Sequence, residues 1–205
     1  YTVVGTLLNL VLTIAAAYPL SHSNFVLRKI FTLFITITMF VSGGIIPLFI
    51  LVSKIGIYNT RWAIVLPAAV NAFNIFLMRV YFQTSIPKEL IETATIDGCN
   101  DIRILLKIIL PLSKPIVSVI SLFVAVGFWN NYFSALLFLP NANLQPITVM
   151  LQRVLMDPEA QMTALSYASQ IKYTVVIVTI LPIVCIYPFF QKYFVKGIMV
   201  GSLKG

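Results

Sequence analysis

The chain has 205 residues, 60% of them hydrophobic and only 10% charged, with a mean hydropathy of +0.98. This excludes an ordinary soluble domain, in which about 25% of residues are charged, and the apolar runs reach the roughly 20 residues that a membrane-crossing helix needs. The net charge of +8 does not signal nucleic acid, because the basic residues are scattered at the ends of apolar runs, where they act as topology determinants.

In chain order, the first span covers 2–20 and ends in the polar group Pro19, Ser21, His22, Ser23 and Asn24. Arg28 and Lys29 open a second span, 29–52, which Gly43, Gly44 and Pro47 weaken; a bend is permitted there, as a gate or as a static feature. A polar turn leads to the third span, 62–82. A polar elbow follows at 86–111, then a fourth span at 116–139. Residues 140–172 form a loop in which Met150, Leu151, Val154 and Leu155 suggest a helix lying along the surface. The last span, 173–194, precedes a short basic tail. The expectation is an all-α membrane protein with about five transmembrane helices in one domain, 1–205. The chain opens at Tyr1 inside an apolar run, so a preceding helix is expected as well.

Basic residues orient these spans. Placing the elbow inside puts Arg28, Lys29, Arg79, Lys88, Arg103, Lys107, Lys114, Lys192, Lys196 and Lys204 there, and leaves only Lys54, Arg61, Arg153 and Lys172 outside. Cys99 and Cys185 fall in different regions, so neither a disulfide nor a metal site is expected.

The elbow is the informative stretch. Of the six acidic residues in the chain, Glu89, Glu92, Asp97 and Asp101 cluster in it. Pro87 suits the start of a helix, and Glu89 complements the positive end of its dipole. Leu90, Ile91 and Ala94 give a narrow apolar stripe, and Gly98 stops the helix by accepting a left-handed conformation. Asn100 or Asp101 can cap a second helix, which runs through Ile104, Leu105 and Ile108 until Pro111 ends it.

Glu92, Ala94, Gly98, Ile108, Leu110 and Pro111 stand at the spacings of the signature carried by the membrane subunits of ABC importers, with Thr93 replacing a small alanine of the pattern. Asp97 before Gly98, the run from Leu110 to Pro115, and the tail from Lys196 to Gly205 resemble the carbohydrate branch, and within it the MalG-type subunit of the maltose transporter. The resemblance implies a MetI-like ABC permease fold with a cytoplasmic coupling-helix elbow. Glu89, Glu92, Ala94, Asp97, Gly98, Leu110 and Pro111 would then be the ATPase-coupling contacts, and the C-terminal tail would reach toward the ATPase dimer interface. The partners it implies are a second, MalF-like permease subunit, two ATP-binding cassette ATPase subunits that bind ATP and Mg, and an extracellular substrate-binding protein. The setting is the plasma (inner) membrane of a prokaryote, with elbow and C-terminus cytoplasmic. Read without the family, the elbow could instead rest on lipid headgroups, although such helices are usually basic and this one is acidic.

Polar residues within spans are costly and therefore informative. Asn71 and Asn74 fall on one helix face, and Trp129, Asn130 and Asn131 interrupt the fourth span. Amides beside an aromatic ring suit a sugar; equally, they can bond neighbouring helices. Ser118, Ser121 and Ala125 form a small-residue stripe that suits close helix packing. No phosphate-binding G-x-x-x-x-G-K-[ST] loop occurs and no catalytic or metal set is assembled, so no enzyme and no cofactor of its own is expected. The function expected is import of a carbohydrate by alternating access, with an amino-acid or phosphate importer, or a secondary transporter, as alternatives.

Overall fold

The computed structural model describes residues 1–156 and 173–188. The second half of the 140–172 loop, the end of the last expected span and the tail lie outside the described residues.

Helix α1, Thr2–Ser21, is the one described helix long and apolar enough to cross a membrane by itself. Its apolar run carries no proline before Pro19, and Pro19 does not stop it: the helix runs on to Ser21, and the His22 N–H then bonds the Pro19 carbonyl. Gly5, Asn9, Thr13, Ala17 and Leu20 form its buried face. Successive members stand three or four residues apart, the spacing that keeps a helix face in register. This face packs on α5 and α8, introduced below, and makes the centre of the fold.

The segment expected as a single span at 29–52 is two helices, α2 (Arg28–Phe40) and α3 (Ile45–Lys54), bent by 116°. Gly44 has φ +80°, a backbone state open to glycine at little cost. The glycine pair thus turns the chain sharply instead of kinking one helix.

The 62–82 segment also departs from a continuous helix. A short helix, α4 (Trp62–Val65), gives way around Pro67, and α5 begins only at Ala72 and runs to Thr84. Asn71 is therefore not on a helix face beside Asn74. It is the extended residue before α5, and its side-chain oxygen accepts the Asn74 N–H at 3.2 Å.

The elbow comprises α6 (Lys88–Ile96) and α7 (Asp101–Leu112). Pro111 does not end α7. A π-helical turn over Leu105–Ile109 precedes it, in which the Leu110 N–H reaches the Leu105 carbonyl, a local widening that accommodates residues a regular helix would reject. The stop falls at buried Ser113, where α7 turns by 81° into α8 (Lys114–Trp129).

After a break at Asn130 and Asn131 come α9 (Tyr132–Phe138), α10 (Ile147–Met156) and α11 (Tyr173–Pro188). The core side of α8 carries Ile116, Ile120, Leu122, Val124 and Phe128. Ser118 and Ser121 are only half-buried and bond back to their own helix, so the closely packed small-residue stripe is the one on α1. At the end of the molecule away from the elbow, Asn59, in the left-handed region at φ 56°, donates its N–H to the Phe138 carbonyl, and its side chain accepts the Asn141 N–H.

Candidate coupling elbow and membrane cleft

The elbow is built by its caps. At the end of α6 the Cys99 N–H reaches the Ala94 carbonyl and the Gly98 N–H reaches the Thr95 carbonyl, a pairing that closes a helix through a left-handed residue. Gly98 supplies that residue at φ +75°. Asn100 then caps α7, its side-chain oxygen accepting the Arg103 N–H at 2.9 Å. Four residues, Asp97 to Asn100, separate the two arms, and hydrogen bonds within that turn hold them.

Ile91 and Ala94 face the core, whereas Glu89, Glu92, Thr93 and Ile96, at helical spacing on the opposite side, are exposed, as are Leu90 and Asp97. On α7, Ile104 and Ile109 are buried, Leu110 is half-buried, and Ile102, Leu106 and Pro111 are exposed. The free side of the elbow thus mixes carboxylates with apolar side chains such as Ile96, 85% exposed. Apolar contact area rimmed by charge is the composition of a protein-docking surface.

Two hydrogen bonds tie this region to the helices behind it, and a third ties those helices to each other. The Tyr18 hydroxyl of α1 donates to the Asp101 carbonyl at 3.2 Å, and the Tyr81 hydroxyl of α5 donates to the Leu112 carbonyl at 3.4 Å. The Gln83 amide of α5 donates to the Ser21 carbonyl at the end of α1. Both ends of α7 are therefore held to the central helices.

A cleft of about 530 Å³ opens among α1, the 66–71 segment, α5 and α8. Asn9, Asn71, Asn74 and Asn131 line it together with the rings of Phe73, Phe123 and Phe128. Asn9, 1% exposed, donates its amide to the Ala68 carbonyl at 3.0 Å and accepts from the Thr13 hydroxyl at 3.3 Å, so it holds the non-helical 66–71 segment against α1.

The four expected pathway residues separate into two groups. Asn71 and Asn74 share the cleft; Trp129 and Asn130 do not reach it. The Trp129 indole donates to the Thr179 carbonyl at 3.1 Å, and Asn130 lines a smaller cavity of about 330 Å³ between α9, α10 and α11. Sequence reasoning missed Asn9, whose signal was a lone amide in the otherwise apolar first span.

Because the Asn71 side chain caps α5, Asn71→Ala is expected to cost about 1 kcal/mol, and Asn71→Ser to recover most of that. Thermal unfolding of the purified protein in detergent checks this. Equal loss in both variants would place the role of Asn71 elsewhere than the cap.

The description "Binding-protein-dependent transport system inner membrane component" belongs to the family that matches residues 9–200, and the chain is a member of that family. It is similar to the polygalacturonan/rhamnogalacturonan transport system permease protein YtcP of Bacillus subtilis (strain 168), at 40% identity over 100% of this chain and 74% of that protein. It is also similar to the arabinooligosaccharides transport system permease protein AraQ of Halalkalibacterium halodurans, at 32% identity over 100% of this chain and 71% of that protein. Among solved structures, a chain of a bacterial ABC transporter involved in the import of the acidic polysaccharide alginate superposes with a TM-score of 0.87 at 35% identity, over 95% of this chain and 71% of that one. The chain is thus an inner-membrane permease subunit of a binding-protein-dependent ABC transporter, with the MetI-like all-α fold.

Proposed function

We propose that this subunit moves a carbohydrate, an oligosaccharide, across the plasma membrane by alternating access, and that the elbow is its coupling helix on the cytoplasmic side. The observation that carries the reading is the doubly capped elbow with an acidic, partly apolar free face, tied at both ends of its second arm to α1 and α5. Glu89, Glu92 and Asp97 would meet the ATPase. Ala94 and Gly98 would fix the geometry of the first arm, and Leu110 and Pro111 that of the second. ATP and Mg would be bound by two partner ATPases, a second, MalF-like permease would complete the pathway, and a substrate-loaded binding protein would dock on the opposite face.

The carbohydrate reading rests on the relatives and on the cleft lining. Amides offer donors and acceptors to hydroxyls, and rings pack on the C–H faces of a sugar. Among the described residues no lysine, arginine or carboxylate lines the cleft, which disfavours an amino acid or inorganic phosphate as its ligand. Asn71 and Asn74 are the pathway residues this supports; Trp129 is engaged with α11 instead.

The test is copurification of the tagged protein from its native membrane, followed by ATPase assay with candidate oligosaccharides and their binding protein. An ATPase is expected to copurify with the wild type, and the charge reversal Glu92→Lys to weaken that association or to uncouple hydrolysis from sugar. If the ATPase is absent from the wild-type complex, or Glu92→Lys is coupled as wild type, the coupling role of the elbow is wrong.

A further inference from the structure

We infer that Arg28 and Arg79, where α2 meets α5, form a binding site for the phosphate of an anionic phospholipid on the elbow side of the membrane. A cation on a membrane helix normally pairs with a carboxylate or with backbone carbonyls. Arg79 does neither among the described residues. One terminal nitrogen donates to the Thr32 hydroxyl at 3.2 Å, the guanidinium carbon lies 5.7 Å from the centre of the Phe76 ring, and Nε is buried without a hydrogen-bond partner. Thr32 stands one turn along α2 from Arg28, so this bond brings Arg79 to the helix face that carries a second cation. The described carboxylates, Glu89, Glu92, Asp97 and Asp101, remain exposed on the elbow. Two like charges and a hydroxyl donor thus share the α2–α5 contact with no carboxylate beside them among the described residues, an arrangement that is costly without a counter-charge.

Two further features point to a phosphate carried by a lipid. The start of α2, a helix of 13 residues, has no acidic residue in its first turn and no side-chain cap; the Arg28 N–H bonds the Phe25 carbonyl, and the dipole with the remaining first-turn N–H groups favours an anion beside Arg28. Around it, Val26, Ile30, Phe31 and Phe34 are exposed, an apolar surface that acyl chains would cover and a free phosphate would not. Depth is consistent as well. Arg79 stands five residues before Thr84, the end of α5, about 8 Å along the helix axis, and a guanidinium on its long stem reaches headgroups from there. Basic pockets between membrane helices are known to hold anionic headgroups in this way. The inference does not depend on which solute the subunit moves.

The experiment is native mass spectrometry of the whole purified transporter, titrated in mixed micelles with phosphatidylglycerol or phosphatidylcholine. Wild type is expected to retain phosphatidylglycerol preferentially. That preference should fall by roughly fivefold for each arginine removed, in Arg28→Gln and Arg79→Gln, and Arg79→Lys should keep part of it. Inorganic phosphate added in excess should leave the lipid in place. Unchanged retention in both glutamine variants would overturn the site. Displacement by inorganic phosphate would overturn its assignment to lipid. Loss of a partner subunit from the arginine variants at unchanged lipid retention would show that a partner's carboxylate is the missing anion. Arg28→Gln, at the very start of α2, supplies the answer even where Arg79→Gln fails to fold.

Discussion

Transport by a Gly98→Val variant is expected to fall by roughly tenfold, with Gly98→Ala intermediate and Gly98→Asn close to wild type. The left-handed backbone costs an ordinary L-residue about 1–2 kcal/mol, close to a factor of ten in the population of the capped elbow. Valine, branched at Cβ, bears most of that cost, whereas asparagine visits the region readily. A Cβ built on Gly98 meets nothing within 4 Å, so inside this chain the penalty comes from φ alone. The order of the variants therefore separates two roles. If Gly98 serves as the turn, backbone preference sets the order and asparagine is the mildest change. If an ATPase surface presses directly on Gly98, size sets it, and alanine is milder than asparagine. Uptake into proteoliposomes containing the whole transporter, with ATP hydrolysis measured in parallel, gives the order.

The elbow was the part of the fold most legible in the sequence, because it is made by local chemistry. A glycine at a helix end and an asparagine before the next helix each act within a few residues, and both do in the structure what their side chains suggest. Pro111 shows where local reading fails. A proline inside a helix reads as a stop, but the widened turn just before it lets α7 continue, and the chain turns at Ser113 instead.

The membrane segments were legible as apolar runs and much less so as helices. Gly43, Gly44 and Pro67 mark weak points, but hydropathy carries no information on whether a weak point becomes a kink or a reversal. At 66–71 the decision is made by the Asn9 amide, which supplies a hydrogen bond to Ala68 from a different helix. The cleft was half legible for the same reason. Asn71 and Asn74 were grouped by an assumed helical face and are together because one caps the other's helix. Trp129 and Asn130 were grouped with them by chemistry alone, and the break after Trp129 sends both toward α11.

Gly5 carries the other large expected effect. A Cβ placed there would stand 2.5 Å from the ring of Phe128, closer than real atoms approach. The ring is buried, but it also lines the cleft, so it can escape only by turning into that space or by letting the two helices part. Gly5→Ala should thus turn the Phe128 ring into the cleft or force α1 and α8 apart, at a cost of about 1–3 kcal/mol, the range for overpacking a filled core. The contact also sets the spacing of two walls of the cleft, since α1 contributes Asn9 and α8 contributes Phe128 to its lining. A lower thermal midpoint in detergent should accompany a change in the apparent affinity for the transported solute. The double variant Gly5→Ala with Phe128→Leu isolates the cause, because a smaller, flexible side chain removes the collision while staying apolar. Stability should recover to about that of Phe128→Leu alone, giving a coupling energy of the size expected for neighbours in contact. If the two costs simply add, Gly5 matters through the backbone of α1 and not through the ring, and the close approach of the two helices does not set the width of the cleft.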